Sequence, residues 1–157
     1  MSELYVKPGH LVRRFQQIAV AVFHAEVEAA GYDLTPVQYA ALAAIGTRAG
    51  LDQASLAGLI AYDRTTITGV VDRLVQKGLV ARQPSPRDRR AHELHITPAG
   101  KKTLRGIEPA VEAAQKSMMR GLSAAESKEL MRLLTKAIDA GNDLSRAPMR
   151  AMAAAKS

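Results

Sequence analysis

The stretch LDQASLAGLIAYDRTTITGVVDRLVQKGLVAR, residues 51–82, decides the fold of this chain. Asp52 precedes a short apolar-periodic segment, residues 53–61, in the way that an N-cap precedes a helix. Asp63 precedes a second such segment, residues 64–77, whose apolar side chains fall on one face. Two short helices joined by a tight turn, the second of them basic, predict a helix-turn-helix.

The residues that follow predict a β-hairpin. Two short runs with alternating apolar side chains, residues 79–82 and 93–97, enclose the loop QPSPRDRRAH. Taken alone, a charged loop of this kind is an ordinary solvated hairpin. Because it comes directly after a basic helix-turn-helix, we interpret it as a wing.

Longer helical patterns lie on both sides of this region. The first begins at Pro8 and runs to about residue 30, and the second follows Thr35 and Pro36. Thr97 begins a third helix, and a capping box of Ser123 with Glu126 begins the last. The predicted fold class is therefore mainly α with a small β-wing, a winged helix-turn-helix flanked by N- and C-terminal helices.

Composition excludes several classes of protein. The chain has no cysteine, which excludes disulfides, thiolate metal sites and a catalytic thiol. Its four histidines lack the spacing of a metal site, and no nucleophile motif or glycine-rich phosphate loop is present. No secretory signal or run of roughly 18 apolar residues occurs. We expect a cytoplasmic protein without membrane association, cofactor, metal or enzymatic activity.

The net charge of +7 is concentrated in one region. From Arg64 to Arg90 there are seven basic residues and two acidic ones, so this segment carries +5 of the total. Charge focused in this way indicates a polyanionic partner, with nucleic acid as the first candidate and an anionic membrane surface as the second.

The sequence around the hairpin resembles the MarR family of bacterial transcriptional regulators. The similarity lies in "KGLVAR" and in the element "DRRAHELHITPAG", and the order of elements matches from Pro8 to Gly141. The resemblance implies one MarR-type domain over residues 1–157, reading double-stranded DNA as a homodimer. Its expected parts are dimerisation helices at 1–34 and 107–145, a winged helix-turn-helix at 35–106, and a tail at 146–157 that is flexible or adds a late helical turn.

The candidate DNA-binding residues lie on the two short helices and in the wing. We expect groove contacts from the start of the second helix, at Arg64, Thr65, Thr66 and Thr68. We expect backbone contacts from Gln53, Ser55 and Arg73. In the wing, Arg90 is the expected minor-groove residue, with Arg87 and Arg89 as alternates and Asp88 as a brace that bonds the loop backbone or an arginine. Each threonine taken alone is equally an ordinary cap or surface residue.

Gly69 departs from the family pattern, because many members carry a large polar or basic side chain there. Glycine inside a helix costs about 1 kcal/mol relative to alanine. Its absence of a side chain would let a groove wall or phosphate approach closely, and it leaves the base preference open.

A polar stripe on the first helix is the candidate effector site. His10, Arg14 and Gln17 lie at helical spacing, and Tyr39 would face them from the second helix. The family resemblance implies a pocket for a small aromatic or heteroaromatic acid, in which Arg14 would pair with the carboxylate while His10 and Tyr39 bond ring substituents. The alternative is that these residues are hydrated at a helix edge or a dimer interface.

Two functions fit the sequence. The first is a homodimeric repressor of a pseudo-palindromic operator, released by its ligand, and the apolar first helix and methionine-rich last helices fit its dimer interface. The second is a non-specific nucleoid-type DNA-binding protein without an effector. For the apolar stripes themselves, the alternative to a dimer interface is the core of a monomer.

Overall fold

A computed structural model describes residues 3–151. The helices are α1 (Pro8–Ala29), α2 (Pro36–Thr47), α3 (Gln53–Ile60), α4 (Arg64–Gln76), α5 (Pro98–Met118) and α6 (Ala124–Gly141), and the strands are β1 (Leu51–Asp52), β2 (Val80–Pro84) and β3 (His92–Ile96). Short 3-10 helices, Glu3–Val6 and Asn142–Leu144, lie at either end. The mainly α class with a small β-wing is confirmed. Within residues 3–151, none of the helices has both the length and the apolar character needed to cross a membrane.

Local side-chain chemistry sets the helix ends. The predicted capping box is present at the start of α6, where the Ser123 backbone N–H donates to a Glu126 carboxylate oxygen (2.8 Å) and the Glu126 N–H donates to Ser123 Oγ (3.2 Å). Gly78 ends α4 with a φ of 72°, a left-handed conformation that favours glycine and turns the chain into β2.

The sheet has three antiparallel strands in the order β1-β3-β2. The hairpin of β2 and β3 pairs Val80 with Ile96 and Pro84 with His92, so its strands are displaced by one or two residues from their predicted bounds. β1 was not predicted. It has only two residues, and it forms because Leu51 pairs with Leu94, a contact across 43 positions that no local pattern reveals.

The chain divides into two compact units. The first holds the residues up to Pro36 together with Ile107–Met131, and its buried side chains include Phe23, Val27 and Ile107. The second holds Val37–Gly106 and the residues from Arg132 onwards. Its core is formed by the largest group of fully buried side chains, Leu42, Ile45, Leu56, Ile67, Val71, Leu74 and Leu94.

The residues from Arg132 onwards group with the winged unit. The assignment of residues up to 145 to dimerisation helices and of 146–157 to a tail stays a prediction. A backbone hydrogen bond from Arg150 N–H to the Gly58 carbonyl (2.8 Å) ties the end of this segment to α3 of that unit. Residues 152–157 of the predicted tail lie outside the described residues.

Candidate nucleic-acid interface

Asp63 fixes the N-terminus of α4. Its Oδ1 accepts a hydrogen bond from the Thr66 backbone N–H (2.8 Å), and its Oδ2 accepts one from Thr66 Oγ1 (2.9 Å). These bonds, the backbone one first, hold the pKa of Asp63 below its ordinary value of 3.8. A depressed pKa means that the cap contributes stability above the unfolded-state pKa and loses it as the pH falls through the folded-state value. The cap is therefore intact at neutral pH.

The N-terminus of α3 is built in the same way. The Ser55 backbone N–H donates to Asp52 Oδ1 (2.7 Å) and Ser55 Oγ donates to Asp52 Oδ2 (3.1 Å). Both helices thus begin with an aspartate followed three residues later by a hydroxyl residue. The hydroxyl protons of Ser55 and Thr66, two predicted DNA contacts, are used within these caps, so toward DNA these oxygens act as acceptors.

α4 presents a polar face to solvent. It buries Ile67, Val70, Val71 and Leu74, and it leaves exposed Arg64, Thr65, Thr68, Gly69 and Arg73. Thr68 Oγ1 donates to the Arg64 carbonyl (2.9 Å). The Thr65 hydroxyl has no hydrogen-bond partner within residues 3–151, so on this helix it is the threonine with a donor available to DNA.

Gly69 lies on this exposed face with open space around it. A Cβ atom built on Gly69 meets no atom of the described chain within 4 Å. Packing inside the protein therefore does not require glycine at this position of α4.

The wing loop is ordered by its own hydrogen bonds. The backbone N–H of Arg90 donates to Asp88 Oδ1 (2.9 Å), and the Ala91 N–H donates to the Asp88 carbonyl (3.1 Å). Asp88 thus bonds the loop backbone, the first of the two arrangements expected for it. The side chains of Arg87, Arg89 and Arg90 are exposed.

Arg82 has a structural position that the sequence did not reveal. Its Nε donates to Gln53 Oε1 (3.2 Å), and its Nη2 forms a short ion pair with Asp72 Oδ1. The guanidinium thereby joins α3, α4 and β2. The carbonyl oxygen of Gln53 is engaged by Arg82, and its amide group remains as the donor for the predicted backbone contact. Opposite charges 10 positions apart gave no local signal for this pair.

Two concavities bring four of the eleven predicted residues, from α3, α4 and the wing, onto one surface. One is lined by Gln53, Ala54 and Arg90, among others, and the second by Gln53, Ala54, Arg64 and Thr68. Because Ala54 belongs to both, they form one continuous surface, which we call the Ala54 surface and define by these five residues. Arg73, Arg87 and Arg89 are exposed but do not line either concavity.

The predicted effector residues are divided between the two units. His10, Arg14 and Gln17 lie on α1 in the first unit, and Tyr39 lies on α2 in the second. Arg14 and Gln17 are exposed, while His10 and Tyr39 are partly buried. The guanidinium nearest His10 is that of Arg13, whose Nη2 lies 3.3 Å from His10 Nδ1.

His10 has an unusual environment. The Tyr5 ring packs against it edge-on, with the ring centroids 5.5 Å apart. Its Nε2 atom is buried and has no hydrogen-bond partner within residues 3–151. A buried polar nitrogen without a partner is uncommon in proteins and marks a position where an outside group could bond.

The helix pair α3–α4, the β2–β3 hairpin and the surface that they share identify this chain as a winged helix-turn-helix protein. Comparison with known proteins narrows the class, because the model of the MarR family matches residues 34–92. The repressor NicR of Pseudomonas putida is 34% identical over 131 residues, which cover 83% of this chain and 82% of that protein. This chain belongs to the MarR family of transcriptional regulators.

Two further relatives extend the comparison. A protein of Thauera aromatica, whose name proposes it as the transcriptional regulatory protein for the hcr operon, is 42% identical over 101 residues, and this chain spans only 61% of its length. A structure of BpsR from Bordetella bronchiseptica, described as explaining the regulation of its DNA binding by 6-hydroxynicotinic acid, superposes with a TM-score of 0.82. It is 29% identical and covers 88% of this chain and 98% of its own.

Proposed function

We propose that this protein is a homodimeric repressor that binds a pseudo-palindromic operator and releases it when a small aromatic or heteroaromatic acid binds. The observation that carries the DNA-binding part is the Ala54 surface, which joins residues of α3, α4 and the wing. Its two arginines, Arg64 and Arg90, are exposed, and the acidic residue that lines these concavities, Asp52, has both carboxylate oxygens engaged by Ser55. Such a surface complements the DNA backbone.

Each element of this surface has its own role in the proposal. The N-terminal turn of α4 enters the major groove, where Arg64, Thr65, Thr66 and Thr68 reach base edges. Arg90 enters the adjacent minor groove, on a loop that Asp88 has already ordered, so little conformational entropy is lost on binding. Phosphate contacts come from the residues at the margins, Gln53, Arg73, Arg87 and Arg89. Ser55 has no donor left for a phosphate, because its N–H and its hydroxyl both donate to Asp52, and it acts by fixing the start of α3.

The dimer is proposed from exposed apolar surface. On α1, Leu11 and Ile18 are 51% and 44% exposed, so this part of the apolar stripe is not the core of a monomer. On α6, Met131 and Ile138 are 55% and 62% exposed. Apolar side chains at helical spacing that stay in water are typical of a surface covered by a second copy.

The effector is proposed from His10 and from the relatives. The Arg13 guanidinium can only donate, so His10 Nδ1 accepts from it and the buried Nε2 carries the proton. Nε2 can therefore donate one hydrogen bond to a ring hydroxyl or ring nitrogen. A carboxylate on the same ligand would pair with a guanidinium, for which Arg14 is the predicted residue. BpsR, whose DNA binding is described as regulated by 6-hydroxynicotinic acid, supports an acid of this chemical class. Gln17 lies on the same helix and completes the proposed site, and Tyr39 on α2 stays a separate candidate.

The decisive experiment selects bound sequences from random DNA, with and without hydroxynicotinates, hydroxybenzoates and cinnamoyl thioesters. A repressor yields a two-fold symmetric sequence that it prefers over random DNA by about 1,000-fold or more, and one of the acids lowers recovery of that sequence. A nucleoid-type protein yields no preferred sequence. H10A and R14A are the variants that should keep the operator and lose the response to the acid.

A further inference from the structure

The chain after α6 folds back onto the winged unit through its backbone. The side-chain amide of Asn142 bonds Met149 twice, donating to its carbonyl (2.9 Å) and accepting from its N–H (2.8 Å). The Arg150 N–H donates to the Gly58 carbonyl on α3 (2.8 Å). Because these bonds use backbone groups of Met149 and Arg150, the arginine side chains of this segment take no part in anchoring it.

α3 is shaped to receive this segment. A Cβ atom on Gly58 would lie 3.2 Å from Arg150 Cβ, so the absence of a side chain at Gly58 permits the close approach. The neighbouring positions on this side of α3 are Ala54 and Ala57. The anchored residues 145–150, which we call the C-terminal strap, therefore lie against small residues of α3.

The strap forms one wall of a basic concavity beside the N-terminus of α4. Its volume is about 270 Å³, and it is lined by three guanidinium-bearing residues, Arg64, Arg146 and Arg150. The acidic residue that lines it is Asp63, and both oxygens of that carboxylate accept hydrogen bonds from Thr66. Ala54 also lines it, so it is continuous with the Ala54 surface.

We propose that the strap is an additional DNA-binding element whose Arg146 and Arg150 contact backbone phosphates next to the site read by α4. The inference rests on the proposed DNA-binding function. Charge complementarity favours a phosphate as the occupant, since three arginines and one hydrogen-bonded aspartate line a concavity open to solvent. Continuity with the surface of Arg64 and Arg90 favours a phosphate of the same duplex over a separate small anion. Such contacts add affinity without adding base preference.

The test is operator affinity as a function of salt for the variant R146Q/R150Q. Each phosphate contact contributes about 0.9 to the slope of log K against log salt, equivalent to about fivefold in affinity at 0.15 M. We expect the slope to fall by up to roughly 1.8 per protomer and the affinity to fall roughly 10- to 30-fold per protomer, with the preferred sequence unchanged. The matched control is R48Q/R105Q, which removes two exposed arginines of the same unit that line none of the three concavities.

A second variant, N142A, keeps every charge and removes the bonds that hold Met149. It should lower affinity roughly three- to tenfold, because the strap must then be ordered on binding. An unchanged slope in R146Q/R150Q, an equal loss in R48Q/R105Q, or wild-type affinity in N142A would each overturn the proposal. If the wild-type protein prefers no sequence, the repressor function fails instead, and the slope measured on random duplex still tests the strap.

Discussion

Two glycines in helices of the winged unit differ in how closely other atoms surround them. A Cβ atom on Gly100, in α5, would lie 2.2 Å from the Leu79 carbonyl oxygen and 2.7 Å from Ile96 Cγ1. A Cβ atom on Gly69, in α4, would meet nothing within 4 Å. The fold thus requires glycine at the first position, while at the second the same residue weakens a helix without serving any internal contact.

The surroundings of each glycine explain the difference. Around Gly100 the polar groups are already paired, since Thr97 Oγ1 donates to the Gly78 carbonyl (2.7 Å) and accepts from the Gly100 N–H (3.0 Å). This joint closes the wing onto α5. Around Gly69 the helix faces solvent, with exposed Thr65, Thr68 and Arg73 on the same helix. The hydrogen-bonded contact around Gly100 therefore serves the fold, whereas the exposed face of α4 around Gly69 is available to a binding partner.

The largest effect should follow the change G100A. The added methyl group would collide with a backbone carbonyl that cannot rotate away, so we expect a loss of about 3 kcal/mol in the free energy of unfolding. Urea denaturation followed by circular dichroism measures it. A loss below about 0.5 kcal/mol would show that Leu79 and Ile96 shift to make room for the methyl group. Gly100 would then be as dispensable to the fold as Gly69.

The sequence predicted the six main helices because their start signals are local. Asp52, Asp63 and Ser123 each cap a helix through a residue three positions away. What it missed depends on contacts between distant positions. β1 forms only because Leu51 pairs with Leu94, and the strap is held because Arg150 meets Gly58. No local period or spacing encodes such contacts.

In the candidate site, too, local features were predicted and contacts between distant positions were not. The exposed positions on α4 and the brace by Asp88 followed from helix periodicity and turn chemistry. The pairing of Arg82 with Gln53 and Asp72 did not, because it requires β2 to lie beside both helices. For the same reason the sequence presents Arg82 as only one more charge of the basic region. In the structure Arg82 joins α3, α4 and β2, the elements on which the candidate site lies.

The second-largest loss of stability should come from removing the two hydrogen bonds of the Thr97 hydroxyl. The change T97A removes the hydroxyl that both donates to Gly78 and caps α5 at Gly100, so we expect a loss of about 1–2 kcal/mol in stability. T97S keeps the hydroxyl and is the matched control. Thermal unfolding of both variants separates them, and equal losses would trace the effect to the lost methyl group instead.

On the open face we expect binding to change while stability does not. R90A removes an exposed side chain but keeps the backbone N–H that bonds Asp88, so the loop keeps its conformation. Operator affinity should fall about fivefold per protomer at 0.15 M salt, and the salt slope should drop by about 0.9 per protomer. R87A and R89A serve as comparators within the same loop. An unchanged affinity and slope in R90A, with a loss in either comparator, would move the minor-groove role to that residue.

Among the variants that change stability, G69A should have the smallest effect, and it is the sharpest test of the comparison. Alanine has room at this position and a higher helix propensity, so the free energy of unfolding should rise by about 0.5–1 kcal/mol. If the chain keeps glycine so that DNA can approach α4 closely, the same variant should bind its operator more weakly. G9A is the control, since Gly9 also lies within a helix with no atom within 4 Å of an added Cβ.

The free energy of unfolding and the operator affinity of G69A together show why position 69 is glycine. A gain in stability with a loss of operator affinity, and no loss in G9A, would place the reason for Gly69 in the DNA complex. A gain in stability with unchanged affinity would mean that neither the fold nor the duplex requires this glycine. A loss of stability would contradict the open surroundings of Gly69 and remove its contrast with Gly100.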